Sequence, residues 1–171
     1  MQGRTPLYDG EAVQPMRDEL VAVGFEELRT AEEVDRALDG TRGSVLVAIN
    51  SVCGCAAGSA RPGVALALQH RVIPDRLVTV FAGMDHEAVA RVRERHAGYQ
   101  PSSPAVALFK NGKLAAMVER SAIEGKSAEQ LAADLTQIFD RHCSRPGPSV
   151  PADEFARLDF PKVCGSSIPR S

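Results

Sequence analysis

Two cysteines separated by one glycine, Cys53 and Cys55, are the residues of this sequence best suited to chemistry. They follow the apolar run VLVAI at 45–49, typical of a strand buried on both faces, and precede a predicted helix that ends near His70. Reactive groups in open α/β sheets collect outside the carboxyl ends of the strands. A helix N-terminus at that place stabilises a thiolate by about 0.3–1 kcal/mol, and by about 2 kcal/mol in a partly buried site. The position therefore predicts a reactive thiol.

The glycine between the cysteines, Gly54, has a geometric role in this interpretation. A disulfide needs Cα atoms roughly 4.4–6.8 Å apart, and residues two apart meet that range only where the chain bends, which glycine allows most freely. The resulting ring is small and strained, and strained disulfides open and exchange most readily. Arg61 is the nearest cation in the sequence and adds to thiolate stabilisation if it folds back over the turn. The pattern indicates thiol exchange rather than a disulfide that staples the fold.

Two other interpretations of the cysteine pair stay open at this point. In the first, the cysteines are ordinary small residues packed in a buried turn. In the second, they are ligands of a zinc, copper or iron–sulfur site, where Cys-x-Cys also occurs. A complete metal site usually needs three or four thiolate or imidazole ligands. The further candidates are Cys143, Cys164 and the histidines, none at a familiar metal spacing. His86 and His96 fall on a charged predicted helix and are expected to be solvated or half-buried.

The elements that must position the cysteines follow from apolar periodicity. Strands alternate with helices, which predicts an α/β fold with a parallel sheet and helices on both of its faces. The dipeptide Asn111-Gly112 is a strong hairpin signal and adds an antiparallel strand at one edge, so that the sheet is mixed. Capping-box pairs mark the starts of two helices, namely Thr30 with Glu33 and Ser127 with Gln130.

Composition argues against several classes of protein. Lysine and arginine number 20 and aspartate and glutamate 22, so the net charge of −2 does not favour a broad nucleic-acid-binding face. No apolar run approaches the roughly 18 residues that a membrane-spanning helix needs. The first residues show no secretory signal, and four cysteines are too few for a disulfide scaffold, so a cytoplasmic location is expected.

The length of 171 residues favours one domain, which we expect to span residues 1–143. Residues 144–171 contain many prolines and no sustained periodicity, and predict an irregular tail. Phe155, Leu158 and Phe160 are the side chains through which this tail would pack on the domain.

The segment NSVCGCAAGSARP at 50–62 resembles the active-site signature of the bacilliredoxins, thioredoxin-like proteins with a Cys-Gly-Cys centre. A match of a dozen contiguous residues is far more specific than Cys-x-Cys alone. The resemblance covers roughly residues 13–143, although the tail departs from the family pattern. Further similar stretches are VQPMRDEL, GFEEL, LVTVFAGMD, GYQPSSPAVAL, IEGKSAE and FDRHC.

The resemblance implies a thioredoxin-like fold and a function in removing the small thiol bacillithiol from mixed disulfides on S-thiolated client proteins. Cys53 would attack and take up the bacillithiol moiety, and Cys55 would resolve the adduct, leaving an intramolecular disulfide. A separate thiol-disulfide reductase system would regenerate the dithiol, with bacillithiol as co-substrate and no bound cofactor. Alternatives are a disulfide isomerase or general disulfide reductase and, from another class, a metal or iron–sulfur module built on the same two cysteines.

Two prolines complete the expected site. The fold characteristically places a cis proline opposite the reactive cysteines, so the resemblance predicts that the Ser103-Pro104 bond is cis and that Pro104 lines the substrate side. Pro62 has two interpretations: it kinks the helix that carries the cysteines, or that helix begins at it.

Overall fold

A computed structural model describes residues 3–161 and 169–171. The main sheet consists of β1 (Glu26–Glu27), β2 (Ser44–Asn50), β4 (Arg76–Phe81), β5 (Ala105–Lys110) and β6 (Lys113–Val118), and a separate pair consists of β3 (Val72–Ile73) and β7 (Arg145–Pro146). The helices are α1 (Gly10–Val21), α2 (Ala31–Leu38), a π-helical segment (Ala56–Ala60), α3 (Arg61–Ala67), α4 (His86–Arg95), α5 (Arg120–Ile123), α6 (Ala128–His142) and α7 (Ala152–Ala156).

The main sheet has the strand order β1-β4-β2-β5-β6. Strands β1, β4 and β2 run parallel, whereas β5 is antiparallel to β2 and β6 is antiparallel to β5. The expectation that only the hairpin strand would be antiparallel was therefore wrong. The loop between α4 and β5 returns the chain to the carboxyl end of β2, where Ala105 pairs with Ile49, so β5 must run in the opposite direction.

Side chains alternate between the two faces of β2 and build a separate core on each. Leu46 and Ala48 face a cluster formed with α1, α3 and α6, while Val45, Val47 and Ile49 face a cluster formed with α2 and α4. All seven residues of β2 are buried, as its continuous apolar run predicted. The expected α/β class, a central mixed sheet with helices on both faces, is confirmed.

Local signals placed several element boundaries correctly. Thr30 and Glu33 form a complete capping box at the start of α2, and Ser127 and Gln130 form one at the start of α6. The predicted Asn111-Gly112 turn joins β5 to β6 with both residues at positive φ, 51° and 78°. Such angles are the reason why Asn-Gly favours two-residue hairpin turns.

The segment after α6 is more regular than expected. It adds β7, which pairs with β3, and the short helix α7. Phe155, Leu158 and Phe160 pack against the core on the α3 and α6 side, so the predicted packing of these three side chains is confirmed. Two hydrogen bonds from the Ser149 hydroxyl and amide, to the carbonyls of Val23 and Leu68, hold the segment to the domain. No helix within the described ranges is long and apolar enough to cross a bilayer.

Candidate active site

The cysteine turn leaves β2 and enters a helix at once. Gly54 and Cys55 are already helical, and the helix continues through the π-helical segment into α3. The carbonyl of Cys53 accepts hydrogen bonds from the amides of Ala56 and Ala57, at 2.9 and 3.2 Å. Cys53 therefore occupies the N-terminal end of the helix, where unpaired amides and the positive end of the helix dipole stabilise a thiolate.

The sulfur of Cys53 receives a hydrogen bond from the backbone of its own turn. The amide of Cys55 lies 3.4 Å from Cys53 Sγ and donates to it. The Cys53 amide is in turn fixed by the Ser51 hydroxyl at 3.1 Å. Both cysteines are partly exposed and both thiols are free. The sulfur of Cys53 is therefore accessible and in contact with a backbone donor, as suits a thiol that takes part in exchange.

The surroundings of Cys55 disfavour its ionisation. Burial, the neighbouring Cys53 thiol and the Glu124 carboxylate raise the pKa of Cys55, while Arg120 opposes the shift. Glu124 Oε1 lies 3.9 Å from Cys55 Sγ, within reach of the thiol proton. The two sulfurs are thus unequal, since Cys53 accepts a hydrogen bond from a backbone amide and the surroundings of Cys55 disfavour its ionisation.

Arg61 folds back toward the turn and is almost completely buried. Its guanidinium pairs with Glu19 and donates to Ser51 O at 2.8 Å and Asn50 Oδ1 at 3.1 Å. The burial of Arg61 lowers its pKa, and Glu19 counteracts the shift. Because Glu19 compensates the charge, the contacts of Arg61 fix the backbone between β2 and Cys53 instead of adding a free cation.

The Ser103-Pro104 bond is cis, as predicted. Pro104 directly precedes Ala105, which pairs with Ile49 near the carboxyl end of β2. The proline therefore lies at the end of the sheet where the chain leaves β2 for the cysteine turn. Pro104 also lines a small cavity of about 10 Å³ together with Asn50 and Arg61.

Arg120 and Glu124 belong to this site, and sequence reasoning did not single them out. Arg120 donates through Nε to Glu124 Oε1 at 2.5 Å and through a terminal nitrogen to Ser103 O at 3.3 Å. The hydrogen bond to Glu124 raises the pKa of Arg120, and the fields of both cysteines raise it further. The one available signal was the stretch IEGKSAE, which includes Glu124, because it is similar to the bacilliredoxins.

Packing fixes α5, the segment that follows it and the start of α6 relative to the cysteine helix. Ile123 is fully buried, and the Ser59 hydroxyl donates to the carbonyl of Lys126. Gly63 allows close approach to α6, since a Cβ at this position would lie 3.0 Å from Ala128 O. Glu124 is therefore positioned by packing that involves both neighbouring helices.

The structure differs in detail from two expectations about the shape of the backbone. A Cβ at Gly54 would meet nothing within 4 Å, so no steric contact requires glycine while both thiols are free. Pro62 is the second residue of α3, yet the preceding π-helical segment makes the helix continuous from the cysteines, so the helix does not begin at this proline. The π-helical turn accommodates a residue that cannot donate a backbone hydrogen bond.

The other candidate residues lie away from the turn. Burial raises the pKa of Cys143, and a hydrogen bond with Ser44 and the charge of Lys110 counteract the shift. Cys143 therefore lies near Ser44, at the opposite end of β2 from Cys53. Cys164 lies outside the described residues. His96 is buried, and burial lowers its pKa, whereas His86 is partly exposed. Over residues 3–161 and 169–171, no group of three or more His, Cys, Asp or Glu side chains is arranged to hold a metal ion.

Comparison with known proteins supplies independent information. The family model described as Disulphide isomerase matches residues 8–143. A bacilliredoxin of Koribacter versatilis is 49% identical over 137 residues, covering 80% of this chain and 94% of its own length. A bacilliredoxin of Staphylococcus aureus is 50% identical over 139 residues, with 80% and 94% covered.

Another relative extends further along the chain. A bacilliredoxin of Salinibacter ruber is 49% identical over 166 residues and covers 95% of both chains, so the similarity reaches into residues 144–171. Among solved structures, the thioredoxin Mala s 13 of Malassezia sympodialis has a TM-score of 0.44 and 12% identity, covering 82% of this chain and 96% of its own.

Proposed function

The chain belongs to the bacilliredoxin family of thiol-disulfide oxidoreductases, and from this membership we propose that it removes bacillithiol, or a similar small thiol, from protein mixed disulfides. Cys53 is the nucleophile and Cys55 the resolving thiol. Gly54 shapes the turn between them, Arg61 fixes its entry, and Pro104 lines the side from which the client approaches.

The first step transfers the small thiol to the enzyme. The Cys53 thiolate attacks the small-thiol sulfur of the mixed disulfide and forms a new disulfide with it. The bond between that sulfur and the client cysteine breaks, and the client leaves as a thiolate that takes up a proton from solvent. The client is thereby reduced, and Cys53 carries the adduct.

The second step releases the small thiol. Cys55 loses its proton and attacks Cys53 Sγ, the bond from Cys53 to the small thiol breaks, and the small thiol leaves with the electron pair. The enzyme now contains a disulfide between Cys53 and Cys55. A separate thiol-disulfide reductase supplies the two electrons that restore both thiols, so catalysis needs no bound cofactor. This cycle suits a reducing compartment such as the cytoplasm.

The observation that carries the proposal is the asymmetry of the two sulfurs. A backbone amide donates to Cys53 Sγ at the N-terminal end of the helix. Burial, the neighbouring Cys53 thiol and, to a smaller extent, Glu124 raise the pKa of Cys55, which disfavours its ionisation in the resting enzyme. An exchange enzyme that attacks with one thiol and resolves with the other needs this division.

Mass spectrometry of a Cys55→Ser variant tests the assignment. After incubation with a client protein that carries bacillithiol, we expect one bacillithiol adduct, located on Cys53, because the resolving thiol is gone. The Cys53→Ser variant is the matched control and should carry none. An unmodified Cys53 together with efficient trapping at Cys143 or Cys164 would contradict the proposal.

A further inference from the structure

The resolving step requires Cys55 to lose a proton at a position where its ionisation is disfavoured. Burial, the Cys53 thiol and the Glu124 carboxylate all oppose the thiolate of Cys55, and within residues 3–161 and 169–171 only Arg120 favours it. A thiol in this environment attacks slowly unless a neighbouring group takes the proton as the new bond forms.

The Glu124 carboxylate is in contact with this thiol. Its Oε1 lies 3.9 Å from Cys55 Sγ and is the acceptor of that contact. The length suits a weak interaction of a large sulfur atom in the resting enzyme, and catalytic hydrogen bonds commonly shorten when the reacting complex forms. The Glu124 side chain is about half exposed, at 48%, so a proton that it accepts can pass on to solvent.

We propose that Glu124 is the general base of the resolving step and that Arg120 is the residue that positions it. The inference deepens the proposed function and rests on it, since it concerns the second half of the same thiol exchange. It assigns a catalytic role to a residue of the segment after α5, far in sequence from the cysteine turn.

The resolving step moves one proton and exchanges one disulfide bond for another. The S–H bond of Cys55 breaks, and the proton goes to Glu124 Oε1. The electron pair of that bond forms the new disulfide with Cys53 Sγ. The bond between Cys53 and the small thiol breaks, and the small thiol leaves as a thiolate. Glu124 then gives its proton to solvent or to the departing thiolate.

Arg120 has the contacts of a positioning residue. It donates through Nε to Glu124 Oε1 and through a terminal nitrogen to Ser103 O, and its backbone amide donates to the Ser102 hydroxyl oxygen at 3.3 Å. The carboxylate is thus held between the cysteine turn and the loop that precedes Pro104. The charged and titratable groups whose fields reach Cys55 are Cys53 from its own turn and the pair Arg120 and Glu124 from α5 and its end.

The test is a single-turnover experiment with a client protein that carries one bacillithiol mixed disulfide. Samples quenched by alkylation are weighed by mass spectrometry, which separates the reduced enzyme, the Cys53 adduct and the internal disulfide. In Glu124→Gln the amide oxygen still accepts from Arg120, but the base is lost. We expect the adduct to form at the wild-type rate and to resolve on the order of 10- to 100-fold more slowly at pH 7.

The pH profile distinguishes a base from a structural contact. In Glu124→Gln the resolving rate should rise about tenfold per pH unit below the pKa of Cys55, because only the ionised fraction attacks, and the wild type should depend on pH less steeply. Arg120→Gln should slow the same step, and Arg120→Lys should restore part of the rate. Glu129→Gln, at an exposed position in the first turn of α6, is the matched control and should behave as wild type.

Two outcomes overturn different claims. If Glu124→Gln resolves its adduct with the wild-type rate and pH profile, or if Glu129→Gln is slowed equally, Glu124 is not the base. If no adduct forms on Cys53 even in the wild type and in Cys55→Ser, the proposed function itself fails.

Discussion

Arg61 and Glu19 form an ion pair that is almost entirely removed from solvent beneath the cysteine turn. Their side chains are 2% and 7% exposed. Burial raises the pKa of Glu19 even though Arg61 counteracts it, so desolvation is a large cost at this site. Removing one partner of such a pair leaves an uncompensated buried charge. The resulting loss of stability is larger than the net stability that the intact pair contributes.

We predict that Glu19→Gln lowers the free energy of unfolding by about 3 kcal/mol, because the Arg61 guanidinium then keeps only neutral acceptors. Urea denaturation measures the change. Glu26→Gln is the matched control: Glu26 pairs with Arg76, but the two side chains are 57% and 39% exposed, so we expect a loss below about 1 kcal/mol. Equal losses of unfolding free energy in the two variants would show that burial does not increase the cost of breaking the Arg61 pair.

At the scale of elements, close packing of α3 on α6 determines where the candidate base lies. Gly63 is the point of closest approach, where a Cβ would meet Ala128 O and Leu131 Cδ2, each at 3.0 Å. The carbonyl belongs to the first turn of α6, a few residues after Glu124, and it cannot rotate away as a side chain can. A larger residue therefore has to separate the two helices.

We predict that Gly63→Ala lowers the free energy of unfolding by about 1–3 kcal/mol, the usual cost of overpacking a core. Gly58→Ala in the adjacent π-helical segment is the control. A Cβ there meets nothing within 4 Å, so the higher helix propensity of alanine should leave stability unchanged or raise it by up to about 1 kcal/mol. Thermal and urea unfolding of both variants provide the comparison. A neutral Gly63→Ala would mean that the helices move apart without cost.

At the scale of the whole molecule, the C-terminal segment is part of the packed structure. It pairs with β3 through β7, and it covers the core on the α3 and α6 side with half-buried side chains of Phe155, Leu158 and Phe160. Residues at the very end also return to the N-terminal segment, where Arg170 forms a bridge with Tyr8.

We predict that Phe155→Ala lowers the free energy of unfolding by about 1–3 kcal/mol, less than for a fully buried phenylalanine, because part of the ring is exposed. Arg157→Ala is the control from the C-terminal end of the same helix. Its side chain is 77% exposed, so its loss should change stability by less than about 0.5 kcal/mol. If Phe155→Ala has the same free energy of unfolding as the wild type, the packing of this segment does not contribute to the stability of the domain.

Features that depend on neighbouring residues could be predicted from the sequence. The capping boxes at Thr30 and Ser127 need only a partner three residues away, and the Asn111-Gly112 turn needs only two residues that tolerate positive φ. The buried strand β2 and the cysteines that follow it were equally visible, because an uninterrupted apolar run and its end are local patterns.

Only the tertiary structure decided the direction of β5, the pairing of Arg61 with Glu19, and the position of Glu124 beside Cys55. These contacts join residues 42 and 69 positions apart in the two side-chain pairs, and no periodicity relates such distant positions. They arise where packed helices and a returning loop meet at one edge of the sheet. Local propensity selects the elements, but the free energy of burying their faces together selects which distant side chains become neighbours.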